Sequence, residues 1–465
     1  MNETERLARF VARTEFGDIP TSAVGAAKEA IRDYTGVAVY GSGHRVGDRV
    51  AEYVHACADG EMATLLGGGQ ASVAGAALAN GTFGHSVDYD DTFESMPLHP
   101  TSPIFPAALA AAERDGVSGR DVLAGYIVGV QVAYQVGHAT YPAHYEQGWH
   151  STGTIGAFGA AAAAGNVLEL EQEAIQHAFG IVASSSSALK KNFGSMTKPL
   201  HAGHAAEMGV RSVMLAEAGF TADAAILEGP IGYGEVMTPD RSYDSEAATD
   251  GLGEDWGIHD IGFKPYPSGA CTHAAMEALR RIVVEHDLSP EDVSKVVATL
   301  PEATSETLPH KRPENALQGK FSIEFCLAAI LRERDVGLEE FTDAYVTAPE
   351  TRAVIENVSR EYETEEFAGY GGRVRVETTE SESFVAEEPL APGTPSNPLP
   401  SERWQAKFEG CAGAVLSAEA VAAVREAIER FEEPGALDTF LKGVRGEVEG
   451  RTLEENVRSV STDGR

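Results

Sequence analysis

From Pro20 to about residue 260 the sequence alternates Ala-rich amphipathic stretches with short loops of Gly, Asp and Pro, and almost none of it has the β-branched alternation of a strand. A chain of that texture buries itself by packing helix on helix. The pattern predicts helices over about 21–39, 46–58, 71–85, 102–114, 118–136, 152–167 and 171–188, several opened by Ser or Thr caps. Gly153, Gly156 and Gly159, amid Ala160 to Ala164, leave room for two helices to approach closely.

After Lys264-Pro-Tyr-Pro267 the texture changes. A helix over about 272–286 leads into the first convincing strand, 294–300, and segments 372–379 and 383–386 read as a hairpin, with helical stretches near 323–332 and 349–356 between. The Pro/Gly-rich segment 389–400 closes that region, helices resume from Trp404 to about Leu441, and the polar tail from Glu447 is expected to fray. The expected fold class is therefore mainly α: a large all-helical domain over 1–264, a smaller α+β lid over 265–400, and C-terminal helices over 401–465 that return to the helical domain. At 465 residues the chain has ample length for such a core.

Charge excludes some functions. With 71 Asp and Glu against 36 Lys and Arg, the net charge is −35, and a surface that anionic does not suit nucleic acid. The acid excess and the scarcity of lysine, ten in all, suit a salt-rich cytoplasm where self-repulsion is screened, so a halophilic host is expected. The longest Ala/Gly-rich apolar stretch, 157–165, is far short of the ~20 residues a membrane helix needs. Met1-Asn-Glu-Thr-Glu-Arg6 lacks the basic and apolar regions of a signal peptide, which points to the cytoplasm. Cys57, Cys271, Cys326 and Cys411 are too scattered for a CxxC site, and Gly67-Gly68-Gly69 lacks the GxGxxG spacing and reads as a turn.

Four loops gather titratable residues beside Gly and Pro. Asp88, Asp90 and Asp91 lie within four positions of one another, where mutual repulsion can create an acid/base group or the carboxylates can simply cap backbone. His99 follows in His99-Pro-Thr-Ser-Pro103. His150 precedes the Gly/Ala helix, where a neutral imidazole would serve as a base or an anion contact, or as a structural residue beside Ser/Thr caps. Lys190, Lys191, Lys198 and Lys264 stand in Gly/Pro-bearing stretches rather than on polar helix faces. His201 and His204 can share a helix face, but Glu207 lies ~120° round from His201 and no HExxH is present, so an anion suits this segment better than a metal. No cofactor signature accompanies these residues. A cationic cluster in so acidic a chain is best explained by a small anionic substrate, with di- and tricarboxylates fitting.

The segments Asn80-Gly-Thr-Phe-Gly-His-Ser-Val-Asp-Tyr-Asp-Asp-Thr92, His99-Pro-Thr-Ser102, Gly148-Trp-His-Ser-Thr-Gly-Thr-Ile-Gly-Ala-Phe-Gly159, Thr197-Lys-Pro-Leu-His-Ala-Gly203, Ile226-Leu-Glu-Gly-Pro230 and Lys264-Pro-Tyr-Pro267 occur in that order. Together they resemble the MmgE/PrpD family, which includes 2-methylcitrate dehydratase, cis-aconitate decarboxylase and iminodisuccinate epimerase. The resemblance implies a cofactor-free, metal-free homodimer with its site between the domains, and carries the family's site residues onto Asp88, Thr92, His99, His150, Lys198 and Lys264. For an acid/base reaction on such a substrate, Lys198 and Lys264 are expected to hold carboxylates, Thr92 and His150 to orient them, and Asp88 with His99 to handle protons. Two departures stand out: Gly269 and Phe325 occupy positions where the decarboxylase branch has a histidine and a tyrosine. The expected activity is a lyase, a dehydratase of a 2-methylcitrate-like tricarboxylate, with an epimerase, isomerase or decarboxylase of a small di- or tricarboxylate as alternatives; a non-catalytic anion-binding protein is disfavoured by the retained Lys/His set.

Overall fold

The computed structural model describes residues 1–363 and 370–447, so the tail beyond Glu447 lies outside the described residues. Its helical part is assembled around the helix Ser151–Val167, which is buried along nearly its whole length. That helix packs against Gly119–Thr140, Thr101–Asp115, Thr197–Glu217 and Gln172–Ala183. Small residues make this possible: a Cβ at Gly159 would fall 2.6 Å from Ile104 Cδ1 and 2.8 Å from the Gly129 carbonyl. With no side chain between them the helix axes close up, which is the packing foreseen for the Gly/Ala run.

Most helices fall within a few residues of the expected spans, among them Thr21–Ser42, Arg45–Cys57, Val73–His85 and Thr101–Asp115. The expected helix over 171–188 stops at Ala183, and Glu3–Arg13 adds a helix that the periodicity did not single out. Gly67, Gly68 and Gly69 all take positive φ and form the turn between two short paired strands.

The lid carries a four-stranded sheet in the order Val358–Glu363, Val293–Pro301, Gly372–Thr378, Ser383–Glu388. The first pair runs parallel and the others antiparallel. The parallel edge strand 358–363 was not foreseen; four of its six residues are half-buried and three are charged, so it lacks a clean apolar alternation. Helices His273–Glu285 and Ile323–Glu333 bury their apolar faces in this unit, around Leu279, Phe325, Ile330 and Val374. The C-terminal helices Ser401–Gly413, Ala418–Glu429 and Ala436–Val444 join the other core, where Phe408, Phe431 and Phe440 sit among residues of the first helices. The architecture is thus mainly α with a smaller α+β unit. Among the described residues, no helix is long and apolar enough to cross a membrane.

Candidate active site

The site begins where the helix Val73–His85 ends. Its glycine Gly81 faces Gly203 of the helix Thr197–Glu217 so closely that a Cβ on Gly203 would fall 2.1 Å from the Leu78 carbonyl. This contact brings the loop after His85 beside Lys198, in the first turn of the second helix. In that loop Asp88 adopts φ +56°, a left-handed conformation that few residues other than glycine tolerate. A short antiparallel pairing of Thr92-Phe93 with Ile261-Gly262 then delivers Lys264 to the same place.

The result is one carboxylate between two buried ammoniums. Lys198 Nζ lies 3.1 Å from Asp88 Oδ1. Lys264 pairs with the same oxygen and also donates to the Asp88 main-chain carbonyl at 3.1 Å. All three side chains are nearly inaccessible. Burial alone would raise the Asp88 carboxyl, but Lys198 and Lys264 overcome it and hold the group well below the usual carboxylate range. Burial lowers Lys198 to about 8 against the opposing pull of Asp88. Two cations on one anion leave the cluster positive.

The neighbouring carboxylates have different work. Asp91 accepts from the Thr101 backbone N–H at 3.3 Å and from its hydroxyl, capping the helix Thr101–Asp115, and burial raises its carboxyl well above the usual value. Asp90 accepts from Ser102 Oγ at 2.6 Å and from His85 Nδ1 at 2.8 Å. Burial lowers the His85 imidazole, so the neutral ring donates to a charged Asp90. The acidic triplet therefore divides: Asp90 and Asp91 organise the local fold, while Asp88 faces the lysines.

His99 and His150 are both buried and held well below the usual histidine value, by burial first and then by Lys264 and Lys198 respectively. Both are neutral near pH 7. His99 Nδ1 donates to the Asp91 carbonyl at 2.6 Å, which leaves Nε2 as an acceptor. His150 Nδ1 lies 3.0 Å from His201 Nδ1.

Asp88, Thr92, His99, His150, Lys198 and Lys264 all line one cavity of about 620 Å³ between the helical part and the lid. The lid contributes Gly269, Cys271, Phe321 and the segment 301–307. Of the other lysines in Gly/Pro-bearing stretches, Lys190 lines the cavity and donates to the Tyr145 carbonyl at 3.0 Å, whereas Lys191 is exposed and outside it. His204 and Glu207 line a different groove. Gly269 does lie at the cavity, and a Cβ there would meet nothing nearer than 3.5 Å. Phe325 does not: it is fully buried in the lid core beside Phe341, so the absent phenol at that position has no bearing on the cavity.

Sequence reasoning passed over three buried residues. His85 lies tilted against His99 at 4.6 Å and stacks on His150 at 5.6 Å, centroid to centroid. Lys320 donates to the Ser86 carbonyl at 3.2 Å, and Lys407 to the Tyr89 carbonyl at 2.7 Å. Lys320 stands beside Gly319, the same context that drew attention to Lys198 and Lys264, so the scarcity of lysine could have found it.

Ligand atoms of His85, His99 and His150, and of His85, Asp88, Asp90 and His99, lie within 4.8 Å of one another, as a metal site would require. Their surroundings favour an anion instead. Lys198 and Lys264 already neutralise Asp88, and a divalent cation would enter against both ammoniums.

Cis-aconitate decarboxylase of Homo sapiens is 25% identical over 95% of this chain and 94% of its own length. The enzyme of the same name from Aspergillus terreus is 27% identical over 91% of this chain and 92% of its own. Residues 5–246 match the MmgE/PrpD N-terminal domain and residues 266–433 the MmgE/PrpD C-terminal domain, and the chain belongs to the MmgE/PrpD family.

Proposed function

We propose that this protein is a lyase acting on a small tricarboxylate, and that it eliminates water from a 2-methylcitrate-like substrate. The observation that carries the reading is Asp88 bridging Lys198 and Lys264 at the wall of an interdomain cavity, a positive site inside a chain of net charge −35. Substrate carboxylates would be held by the two ammoniums, and Thr92 and His150 would orient them.

A carboxyl held as low as Asp88 exchanges protons poorly near neutrality, so its part is to fix the lysines. Proton removal falls to a neutral imidazole, His99 Nε2, whose other nitrogen is committed to the Asp91 carbonyl. In the dehydration the base takes the proton from the carbon α to a carboxylate, the C–H pair forms the C=C bond, and the C–O bond breaks. Lys198, lowered to about 8, supplies the proton with which hydroxide leaves as water. The developing enolate charge is stabilised by ammoniums already in place.

A second reading, decarboxylation of cis-aconitate, is favoured by the names of the relatives, while Gly269 stands where the resemblance gives the decarboxylase branch a histidine. Incubating the enzyme separately with 2-methylcitrate, citrate and cis-aconitate in deuterated buffer separates them. A dehydratase generates an alkene absorbing in the ultraviolet without gas release, a decarboxylase releases CO₂, and an epimerase exchanges the α-proton with no loss of material. Neither turnover nor exchange with any tricarboxylate refutes the proposal. We further propose a homodimer, a property implied by the family resemblance and tested by light scattering at micromolar concentration.

A further inference from the structure

Four of the ten lysines are buried, Lys198, Lys264, Lys320 and Lys407, and all four converge on the loop that carries Asp88. Three of them donate to its main chain from separate parts of the fold. Lys320, from the lid, reaches the Ser86 carbonyl at 3.2 Å; Lys264, from the junction, reaches that of Asp88 at 3.1 Å; Lys407, from the helix Ser401–Gly413, reaches that of Tyr89 at 2.7 Å. We propose that Lys320 and Lys407 are positioning residues that clamp the loop in the conformation aiming the Asp88 carboxylate at Lys198 and Lys264.

Two physical arguments support the clamp. The positive φ of Asp88 costs free energy and persists only where the surroundings over-determine it. Carbonyls that turn away from any ladder need donors, and a compact ammonium can serve a tight turn that a planar guanidinium cannot enter. Burying an ammonium is itself unfavourable, so its presence needs a reason. Lys407 has the buried Asp33 as counter-charge at 2.7 Å. Among the described residues Lys320 has no carboxylate within ion-pair distance; the Ser86 carbonyl is its hydrogen-bond partner, burial lowers its ammonium to about 7, and Asp88 is the foremost influence opposing that. A purely structural lysine in that position would be replaced by an apolar side chain without loss. Because Lys320 belongs to the lid and Ser86 to the helical part, the clamp also ties the aim of Asp88 to the seating of one on the other.

The test uses Lys320→Met, with the double variant Asp33→Asn/Lys407→Met, which removes the second contact without stranding a charge, and the exposed Lys295→Met as control. Hydrogen exchange by mass spectrometry over 83–93 should show the amides of 86–91 exchanging at least tenfold faster in Lys320→Met and in the double variant, while those of the helices Val73–His85 and Thr197–Glu217 keep their protection. The thermal midpoint of Lys320→Met should stay within a few degrees of wild type or rise. The kinetic arm rests on the lyase reading: kcat/KM on the substrate that wild type turns over should fall at least thirtyfold. A wild type inactive on all three tricarboxylates refutes that reading, and the exchange arm then decides the clamp alone. Unchanged loop exchange overturns the clamp. So does faster loop exchange with kcat/KM within threefold of an active wild type, and so does a general loss of protection with a collapsed midpoint, which would mark Lys320 as a fold residue only.

Discussion

Replacing Lys264 by methionine removes a charge while keeping the shape of a side chain only 2% exposed. Asp88 retains Lys198 at 3.1 Å, so the variant leaves a neutral buried pair rather than an orphaned charge, and the fold should survive with little change in midpoint. The active cluster is altered more deeply. It loses its net positive charge and one of two ammoniums able to meet a substrate carboxylate. At an effective dielectric constant near 20 an ammonium ~4 Å from a carboxylate contributes about 4 kcal/mol, in line with the ~3–5 kcal/mol seen when a buried charge pair is broken. At ~1.4 kcal/mol per decade, kcat/KM should fall by roughly 10²- to 4 × 10³-fold. Lys264→Arg should fail as well, since the planar fork does not fit where the ammonium meets both the carboxylate and the carbonyl of Asp88. The assay is steady-state turnover of the tricarboxylate identified by the deuterium screen, with circular dichroism and thermal melts on the same preparations. A kcat/KM within about threefold of wild type, under ~1 kcal/mol, would refute the reasoning and move carboxylate recognition elsewhere in the cavity.

The pH profile should carry the signature of Lys198: with its ammonium lowered to about 8, kcat/KM should fall as pH rises through about 8, and a profile flat to pH 10 would contradict its charged role. Stability should respond at the acid end. Burial holds His144 and His201 at about 4 and His273 at about 3, so the unfolded chain binds their protons first; the stability this gives is complete above about 6.5 and declines toward pH 4, a fall in midpoint that scanning calorimetry would detect. A Cβ at Gly269 makes only ordinary contacts, so Gly269→His, which supplies an imidazole at the cavity, should leave the fold intact and raise CO₂ release from cis-aconitate at least tenfold relative to wild type, and no change would mean that this position does not decide between the two reactions. Between low and molar KCl the midpoint should climb steeply if the acid excess is a halophilic adaptation, and a salt-indifferent midpoint would remove that explanation.

Much of this arrangement was legible in the sequence because the features that build it are local. Asp88 and His150 stand in short Gly-bearing motifs, and Lys198 and Lys264 each precede a proline; all four reach the cavity. Helix periodicity over the first 260 residues carried the fold class for the same reason. What escaped depends on pairings distant in sequence. The two-residue strand Thr92-Phe93 is too short to show alternation, yet its partner Ile261-Gly262 is what brings Lys264 to Asp88. Lys407 sits on an Ala- and Glu-bearing helix like any solvated lysine, and only the approach of that helix to Thr21–Ser42 buries it against Asp33. Phe325 failed for the opposite reason: motif position placed it near the chemistry, and the helix Ile323–Glu333 turned it into the lid core.

The placement of lysine also reconciles two demands that conflict on their face. A charge of −35 repels a tricarboxylate at long range, yet the proposed reaction requires the site to collect one. Salt acts on the two parts unequally. Charges on the outer surface are screened within ~3 Å at 1 M ionic strength, whereas buried pairs, cut off from ions, are screened far less. High salt would therefore weaken the repulsive field outside and leave the Lys198–Asp88–Lys264 attraction inside nearly intact. By sequestering four of its ten lysines around one loop, the chain concentrates buried ammoniums beside the cavity while its exterior stays net acidic. On this argument added salt should lower KM for the tricarboxylate in the wild type by quieting the outer field, and in Lys264→Met the same salt should not restore the lost affinity, because the missing charge lies where the field is unscreened.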